Sequence, residues 1–284
     1  LKSQLKKTEK QVSRKQKDAQ RKYQQELNQL ERDNRFLQKE RDELRVKYEG
    51  PDKVEEMARL HMRELAFQEQ VELLQEATRR ESRRTVLERF GPGPHFVKMM
   101  FEIPQRDNYQ GEFLIELAPL DAVPHAIHLF LEQVDHGLWN RSTYFYLNGP
   151  HVLQAGPSLD EEDDEEQEEH HNQDDESSRK PFERMGLDEL AFPDYSETFP
   201  HVTWTVGFTG RPGGPDFYIN KVDNTEGHGP GGQYQHALEE QGDACFGKIV
   251  QGRDSVAKIF TQPVYNDGSD WHYFLSEPVR ITGA

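Results

Sequence analysis

The feature that most constrains this chain is the cluster Gly91-Pro92-Gly93-Pro94, where one pattern of apolar residues ends and another begins. Before the cluster, apolar residues recur every seven positions, as in coiled-coil helices. After it they alternate every two positions, as in strands with one buried face. Glycine and proline interrupt both kinds of element. We therefore predict a helical arm over residues 1–90, a linker at 91–95 and a strand-rich domain over 96–284.

The first part of the arm, residues 1–49, reads as one long coiled-coil helix. It contains no proline, and glycine first appears at Gly50, while strong helix formers dominate. Asn34 at a core position either fixes the register of a two-stranded coil or is a tolerated polar defect. An isolated amphipathic arm cannot bury its apolar stripe alone, so we predict a homodimer. The predicted seam runs through Tyr23, Leu27, Leu30, Asn34, Leu37, Arg41, Leu44 and Tyr48.

A helix break is predicted at Gly50-Pro51-Asp52, because glycine commonly follows a helix and proline favours the first turn of the next. The second helix of the arm then spans residues 50–90. Its heptad pattern is interrupted at Glu64 and Thr78. The pattern leaves open whether the arm folds back as a hairpin or continues with a kink.

The balance of basic and acidic residues changes at the same place as the spacing of apolar residues. Residues 1–90 hold 23 Lys and Arg against 18 Asp and Glu, whereas the remainder holds 12 against 34. The basic start at residues 1–25 is either a solvated helix face or a weak contact for an anionic surface. It lacks interleaved aromatic or glycine-rich elements, so we predict no specific binding of nucleic acid.

The composition limits which other classes of protein this chain can belong to. No apolar run approaches the length of a membrane-spanning helix, and no signal sequence follows the basic start. The compartment stays open between the cytoplasm and, if an anchor or signal precedes Leu1, the lumen of the secretory pathway. A single cysteine, Cys245, excludes an intrachain disulfide and a cysteine-rich zinc site. We predict no metal and no cofactor.

Alternation and turn residues predict a β-rich domain with two short helices. The first helix begins at Pro124 and ends before Gly137, and the second runs from Asp254 to Phe260. Many strands with few helices indicate an all-β barrel or sandwich. The predicted strands are 97–103, 112–117, 143–147, 152–155, 202–208, 216–219, 244–250 and 278–281.

The order and spacing of these segments resemble the cyclophilin family of peptidyl-prolyl isomerases. The resemblance is carried by Val123-Pro124-His125-Ala126-Ile127, Tyr144-Phe145-Tyr146, Leu153-Gln154-Ala155-Gly156-Pro157, Val206-Gly207-Phe208, Pro215-Asp216-Phe217-Tyr218-Ile219 and Cys245-Phe246-Gly247-Lys248-Ile249-Val250. It covers nearly all of residues 96–284. It implies a closed, eight-stranded antiparallel β-barrel with two flanking helices, which binds proline-containing peptides without a cofactor.

The resemblance also implies a site, residue by residue. Gln154 matches the family's substrate-binding glutamine, and Phe217 matches the phenylalanine at the floor of the proline pocket. Tyr146 stands where the family has its catalytic arginine. The remaining positions matched to the substrate-binding site are Tyr144, His151, Val152, Phe208 and Asp216. Arg211, in a glycine- and proline-rich loop near the pocket rim, is either a substitute guanidinium or a surface residue of a turn.

The presence of Tyr146 in place of the family's catalytic arginine determines the activity that we expect. A neutral tyrosine hydroxyl is a weaker donor than a guanidinium, so we expect weak or absent isomerisation and a proline-peptide-binding domain on a dimerising or tethering arm. The alternatives are a working isomerase that uses Tyr146 or Arg211, and a coiled-coil scaffold with an inert barrel cap. Residues 158–180 contain a run of twelve acids within Asp160–Glu176 and are predicted to be a disordered insertion.

Overall fold

The structure is a computed structural model that describes residues 22, 25, 27–41, 43–44, 54–104, 109–140, 142–157, 179–232, 241–266, 268 and 273–284. Most of the basic start at 1–25, the helix break at Gly50-Pro51-Asp52 and the acidic run Asp160–Glu176 lie outside the described residues. None of the described helices combines the length and the apolar character needed to cross a membrane.

The chain forms two units, Leu1–Glu81 and Ser82–Ala284. The division lies within helix α1, Val54–Phe90, and therefore before the predicted linker at 91–95. The end of α1 belongs to the second unit because Val86 is fully buried in the core of that unit and Arg89 forms an ion pair with Asp135, Nη2 to Oδ2, at 2.6 Å.

Within the first unit, helical residues 27–41 fold back along α1. Arg41 Nη1 lies 3.1 Å from Glu64 Oε2, and Gln38 Nε2 donates to Glu64 Oε1 at 3.3 Å. A continuous helix would separate residues 41 and 64 by about 35 Å, so the contacts require a hairpin. Leu27, Leu37 and Leu60 are buried. The chain thus covers part of its own apolar stripe, while the coiled-coil pairing of two chains stays a prediction.

The second unit is a closed antiparallel barrel. Around the barrel the strands follow the order β1-β2-β7-β5-β6-β4-β3-β9, and β9 pairs with β1 to close it. β8 pairs with β9 and lies outside this ring. The predicted eight-stranded barrel is confirmed. The strands are β1 Phe96–Ile103, β2 Tyr109–Leu117, β3 Thr143–Asn148, β4 Val152–Pro157, β5 Thr205–Phe208, β6 Phe217–Asn220, β7 Cys245–Gln251, β8 Val264–Asn266 and β9 Tyr273–Gly283.

Among the described residues after α1, four α-helices accompany the barrel: α2 Pro124–Asp135, α3 Lys180–Met185, α4 Thr225–His228 and α5 Arg253–Phe260. α2 begins with proline, whose missing N–H would have no partner in the first turn. The backbone N–H groups of His125 and Ala126 donate to the buried Asp194 Oδ2 at 2.9 and 3.1 Å. α2 and α5 are the two helices that the sequence predicted.

Aromatic side chains fill the barrel. Phe130 of α2 packs against Phe246 of β7, with ring centroids 4.6 Å apart, so the helix shares the core of the sheet. Burial of such large rings is the main stabilising contribution to a domain of this size. The fully buried rings of this core are Phe101, Phe113, Phe130, Trp139, Phe145, Phe182, Phe208, Phe217 and Phe246.

Two segments differ from their predicted strands. Residues 202–204 form a turn before β5, with Trp204 at a φ of +72°. β9 begins at Tyr273, five residues before the predicted start, and β8 was not predicted. All three residues of β8 are exposed, so their side chains give none of the alternation that reveals a strand.

Candidate functional site

Strand β6 separates two neighbouring aromatic residues onto opposite faces of the sheet. Phe217 packs inside the barrel, 4.9 Å from the Trp139 ring and 6.1 Å from the Phe145 ring. Tyr218 takes the other face, directly opposite Gln154 of β4. The position of Phe217 does not support its expected role as the floor of a ligand pocket. Tyr218 is the β6 aromatic that shares a face with Gln154.

Phe208 is also a core residue. Its ring lies 4.5 Å from that of Phe246 and 6.3 Å from that of Phe130, and its side chain is fully buried. Val152, at the start of β4, is buried as well. Neither side chain joins the polar groups described below.

Tyr146 is the centre of a first polar network. It lies at a β-bulge between Phe145 and Leu147, where the β3–β4 register shifts. The Gln154 amide donates to the Tyr146 hydroxyl, and this hydroxyl donates to Asp216 Oδ2 at 2.7 Å. Tyr146, Gln154 and Asp216, three of the residues predicted from the sequence, are therefore in one hydrogen-bonded chain.

Arg179 completes this network from a segment that the sequence analysis placed in the acidic insertion. Its Nη2 lies 2.9 Å from Asp216 Oδ1, so the Asp216 carboxylate uses one oxygen for Arg179 and the other for Tyr146. The Arg179 side chain remains 32% exposed. We name the group Gln154, Tyr146, Asp216 and Arg179 the tyrosine network.

Burial sets the electrostatics of the tyrosine network. It raises the pKa of Asp216, although the Tyr146 and Arg179 hydrogen bonds act in the opposite direction. Burial and then the Asp216 charge raise the pKa of Tyr146. Tyr146 therefore stays protonated near neutral pH, and its proton is directed to Asp216 rather than to a ligand.

A glycine makes room for the Asp216 carboxylate. Gly156 lies on β4, two residues after Gln154, and a Cβ built at this position would overlap the carboxylate. Strand β3 places Tyr144 directly opposite Gly156. The half-buried Tyr144 thus lies beside the tyrosine network, although no hydrogen bond from its hydroxyl to another described residue joins it to that network.

Arg211 is the cation of a second polar network. Its Nε donates to Asp243 Oδ1 at 2.7 Å, its Nη2 donates to the Gly229 carbonyl at 3.1 Å, and its side chain is only 2% exposed. Its Nη1 is buried and has no hydrogen-bond partner among the described residues. This buried ion pair supports neither of the two readings of Arg211, the substitute donor at the pocket rim or the surface residue of a turn.

The second network covers Tyr218. The His228 ring of α4 stacks on the Tyr218 ring at 4.4 Å, and His228 Nδ1 lies 2.6 Å from Asp243 Oδ2. The Tyr218 hydroxyl donates to the same Asp243 oxygen at 3.1 Å. His201 lies 3.2 Å from the Tyr218 hydroxyl, measured from Nδ1. We name Tyr218, His201, His228, Asp243 and Arg211 the histidine network.

His151 lies at the edge of the histidine network. Its ring is 5.9 Å from that of His228, and burial lowers its pKa. Its carbonyl accepts hydrogen bonds from the Lys221 backbone N–H at 2.9 Å and from Asn224 Nδ2 at 3.1 Å. His151 therefore helps to anchor the segment that leads into α4.

Sequence reasoning missed five residues of the two networks: Arg179, His201, Tyr218, His228 and Asp243. Arg179 lies three residues after Glu176, the end of the acidic run, and fell within the predicted disordered insertion 158–180. A strict alternation from Phe217 was the one signal available for Tyr218, because adjacent strand residues face opposite sides. The other three residues come from loops and from a four-residue helix, where no periodicity marks them.

Most of the second unit matches the model of a known protein family. The family model "Cyclophilin type peptidyl-prolyl cis-trans isomerase/CLD" matches residues 100–284, which is more than half of the chain. None of the curated proteins compared with the sequence matched it.

Several solved structures are similar at low identity. A cyclophilin type peptidyl-prolyl cis-trans isomerase of Cryptosporidium parvum aligns at 13% identity with a TM-score of 0.39, over 67% of this chain and 99% of that chain. The same parasite protein in the presence of the dipeptide Ala-Pro aligns at 14% identity with a TM-score of 0.38, over 66% and 99%. The Mimivirus cyclophilin aligns at 14% identity with a TM-score of 0.34, over 67% and 90%.

Proposed function

This chain belongs to the cyclophilin-type peptidyl-prolyl cis-trans isomerase family, and from that premise we propose that its barrel binds proline-containing peptides with weak or absent isomerisation. The binding face proposed is the tyrosine network, beside Tyr144. The single observation that supports weak catalysis is the Tyr146 hydrogen bond to Asp216.

The chemistry explains why that bond matters. Rotation about a prolyl peptide bond must overcome amide resonance, a barrier of about 18–20 kcal/mol. A donor that approaches the prolyl nitrogen weakens this resonance by holding the lone pair on nitrogen. The Tyr146 proton is already donated to a buried carboxylate, so using it on a substrate would break a hydrogen bond to a charged acceptor.

The same reasoning applies to the alternative of a working isomerase. That alternative needs Tyr146 or Arg211 as the donor, and the Arg211 guanidinium is 2% exposed and paired with Asp243. Breaking a buried ion pair costs several kcal/mol, so recruitment of Arg211 to a substrate is unfavourable. Both donors of the alternative are thus committed within the protein.

A second candidate function is a scaffold in which the barrel is an inert cap. The stacking of His228 on Tyr218 favours it, because this ring occupies the face of β6 that Gln154 shares. The first candidate predicts peptide binding, and the second predicts none. The two are therefore distinguished by a titration rather than by an activity assay.

The test combines both measurements on the full chain. We expect the wild type to give no more than slight acceleration in a protease-coupled prolyl isomerisation assay, yet to bind a fluorescently labelled Ala-Ala-Pro-Phe amide by anisotropy. Gln154→Ala should weaken that binding, whereas Gln251→Ala, at an exposed glutamine at the end of β7, should not. Strong wild-type catalysis would contradict the proposal, and absence of binding would favour the scaffold.

Tyr146→Arg tests the missing donor directly. Because a guanidinium keeps several N–H groups after pairing with Asp216, we expect this variant to accelerate isomerisation above the wild-type rate. Circular dichroism of both proteins checks that the fold is kept. A folded Tyr146→Arg variant that binds the peptide but gains no activity would show that the donor position is not what limits catalysis.

We also propose that the helical arm dimerises or tethers the chain. Met62, Leu65 and Leu73 are exposed and fall within about 80° around α1, at about 100° per residue. Phe36, in helical residues 27–41, is exposed too. Such apolar side chains support association with a second copy, although the hairpin already buries Leu37 within one chain.

A further inference from the structure

Arg179 is the guanidinium of the tyrosine network that remains accessible. Its side chain is 32% exposed, whereas that of Arg211 is 2% exposed. An arginine carries five N–H donors. Among the described residues, Arg179 uses Nη2 for Asp216 and makes no other hydrogen bond. Arg179 therefore keeps donors for a ligand at the face where Tyr146 has none to offer.

The network holds this guanidinium in place. Asp216 is buried and accepts from Arg179 at 2.9 Å and from Tyr146 at 2.7 Å. Gln154 in turn donates to Tyr146, so the carboxylate cannot rotate without breaking a chain of hydrogen bonds. A donor fixed in this way loses little conformational freedom when a ligand binds.

Charge selects the acceptor. The Arg179–Asp216 pair is close to neutral as a unit, and a second anion near Arg179 would also approach the Asp216 carboxylate. A neutral oxygen avoids that repulsion. From this geometry we infer that Arg179 is a ligand-binding residue that donates to a backbone carbonyl oxygen of the bound peptide. The inference rests on the proposed peptide-binding function and names a residue and an acceptor for it.

The test is a titration of the full chain with the labelled, uncharged Ala-Ala-Pro-Phe amide. Arg179→Gln should weaken binding about tenfold, since a hydrogen bond from a charged donor is lost. The affinity of Arg179→Lys for the peptide should lie between those of the wild type and Arg179→Gln, because lysine keeps the positive charge but lacks the planar guanidinium. Arg184→Gln, at an exposed arginine of α3 with the same loss of charge, should bind like the wild type.

Each outcome decides the inference. If the wild type binds and a folded Arg179→Gln variant binds equally well, the inference is overturned while the proposed function stands. If the wild type does not bind, both are overturned. A peptide in which glutamate replaces the two alanines should bind no more tightly than the neutral one. If the wild type binds the acidic peptide more tightly than the neutral one, and Arg179→Gln abolishes this preference, the acceptor is an anion and not a neutral carbonyl oxygen.

Discussion

Asp216 is the residue through which the candidate site is held together. Its two carboxylate oxygens accept from Tyr146 and Arg179, and its burial depends on the space left by Gly156. A carboxylate this buried is tolerated because charged and polar donors satisfy it. The site is therefore sensitive to small changes of volume around one side chain.

Gly156→Ala tests that sensitivity. The added methyl group would overlap the Asp216 carboxylate, so we expect a loss of about 1–3 kcal/mol in the free energy of unfolding. Urea denaturation measures the loss. Gly227→Ala is the matched control, because a Cβ at Gly227 meets no atom within 4 Å. Equal stability of the Gly156→Ala and Gly227→Ala variants would contradict the proposed crowding.

His201 provides a pH-dependent readout of the histidine network. Burial, aided by the nearby His228, lowers its pKa to about 4 from a usual value near 6.5. Protonation thus favours the unfolded chain, so the stability due to neutral His201 is present above pH 6.5 and is lost as the pH falls toward 4. An NMR titration of the His201 ring should give a midpoint near 4. A midpoint above 6 would mean that this ring is accessible to water.

The role of each side chain was harder to predict than which residues lie close together. The motifs named Tyr146, Gln154 and Asp216, which are joined by hydrogen bonds because the paired strands β3 and β4 carry the first two and Asp216 directly precedes β6. They did not reveal which of Phe217 and Tyr218 faces outward, since a shift of one residue in a strand reverses the face. Arg179 reaches the site through tertiary folding, for which no local pattern exists.

At the scale of elements, the helical hairpin shows how one helix buries some side chains and exposes their neighbours. Leu37 is 5% exposed and Phe36 is 67% exposed, although they are adjacent. The heptad pattern predicted that Leu37 lies in a seam. It did not decide whether the partner helix belongs to the same chain, because intrachain and interchain seams use the same spacing.

Leu37→Ala should destabilise the hairpin. Removal of a buried leucine side chain costs about 2–5 kcal/mol through lost burial and the cavity left behind. We expect a lower thermal midpoint for the helical signal at 222 nm. Glu40→Ala, at an exposed position of the same helix, is the control, since exposed substitutions usually change stability by no more than about 0.5 kcal/mol. A larger loss in Glu40→Ala than in Leu37→Ala would contradict the burial of Leu37 in the hairpin.

The barrel elements were predicted well where apolar residues alternate and less well elsewhere. β1 and β2 were found within three residues, because buried positions alternate along each strand. β7 was found within one residue, although residues 245–247 at its start are all buried. α3 and α4 were missed, since six and four residues are too few for a helical period to appear. β9 was predicted too short because Pro278 was taken as its start, although the strand extends on both sides of this residue.

At the scale of the whole molecule, we expect the arm to join two chains into a dimer. Light scattering after size-exclusion chromatography should give twice the 33.1 kDa mass of one chain. Replacing Met62 and Leu73 together with glutamine should convert the dimer to a monomer, because both are exposed and lie on one side of α1. Gln68→Ala, at an exposed position outside that side, should leave the dimer intact. A monomeric wild type would contradict the proposal.

The pairing of β9 with β1 has a consequence for synthesis of the protein on the ribosome. β1 is among the first strands to be made, but one of its edges is paired only when Arg280–Gly283 exist. Until then the growing chain carries an open strand edge, a common starting point for aggregation. We therefore expect the growing chain to be most prone to aggregation before β9 has been synthesised.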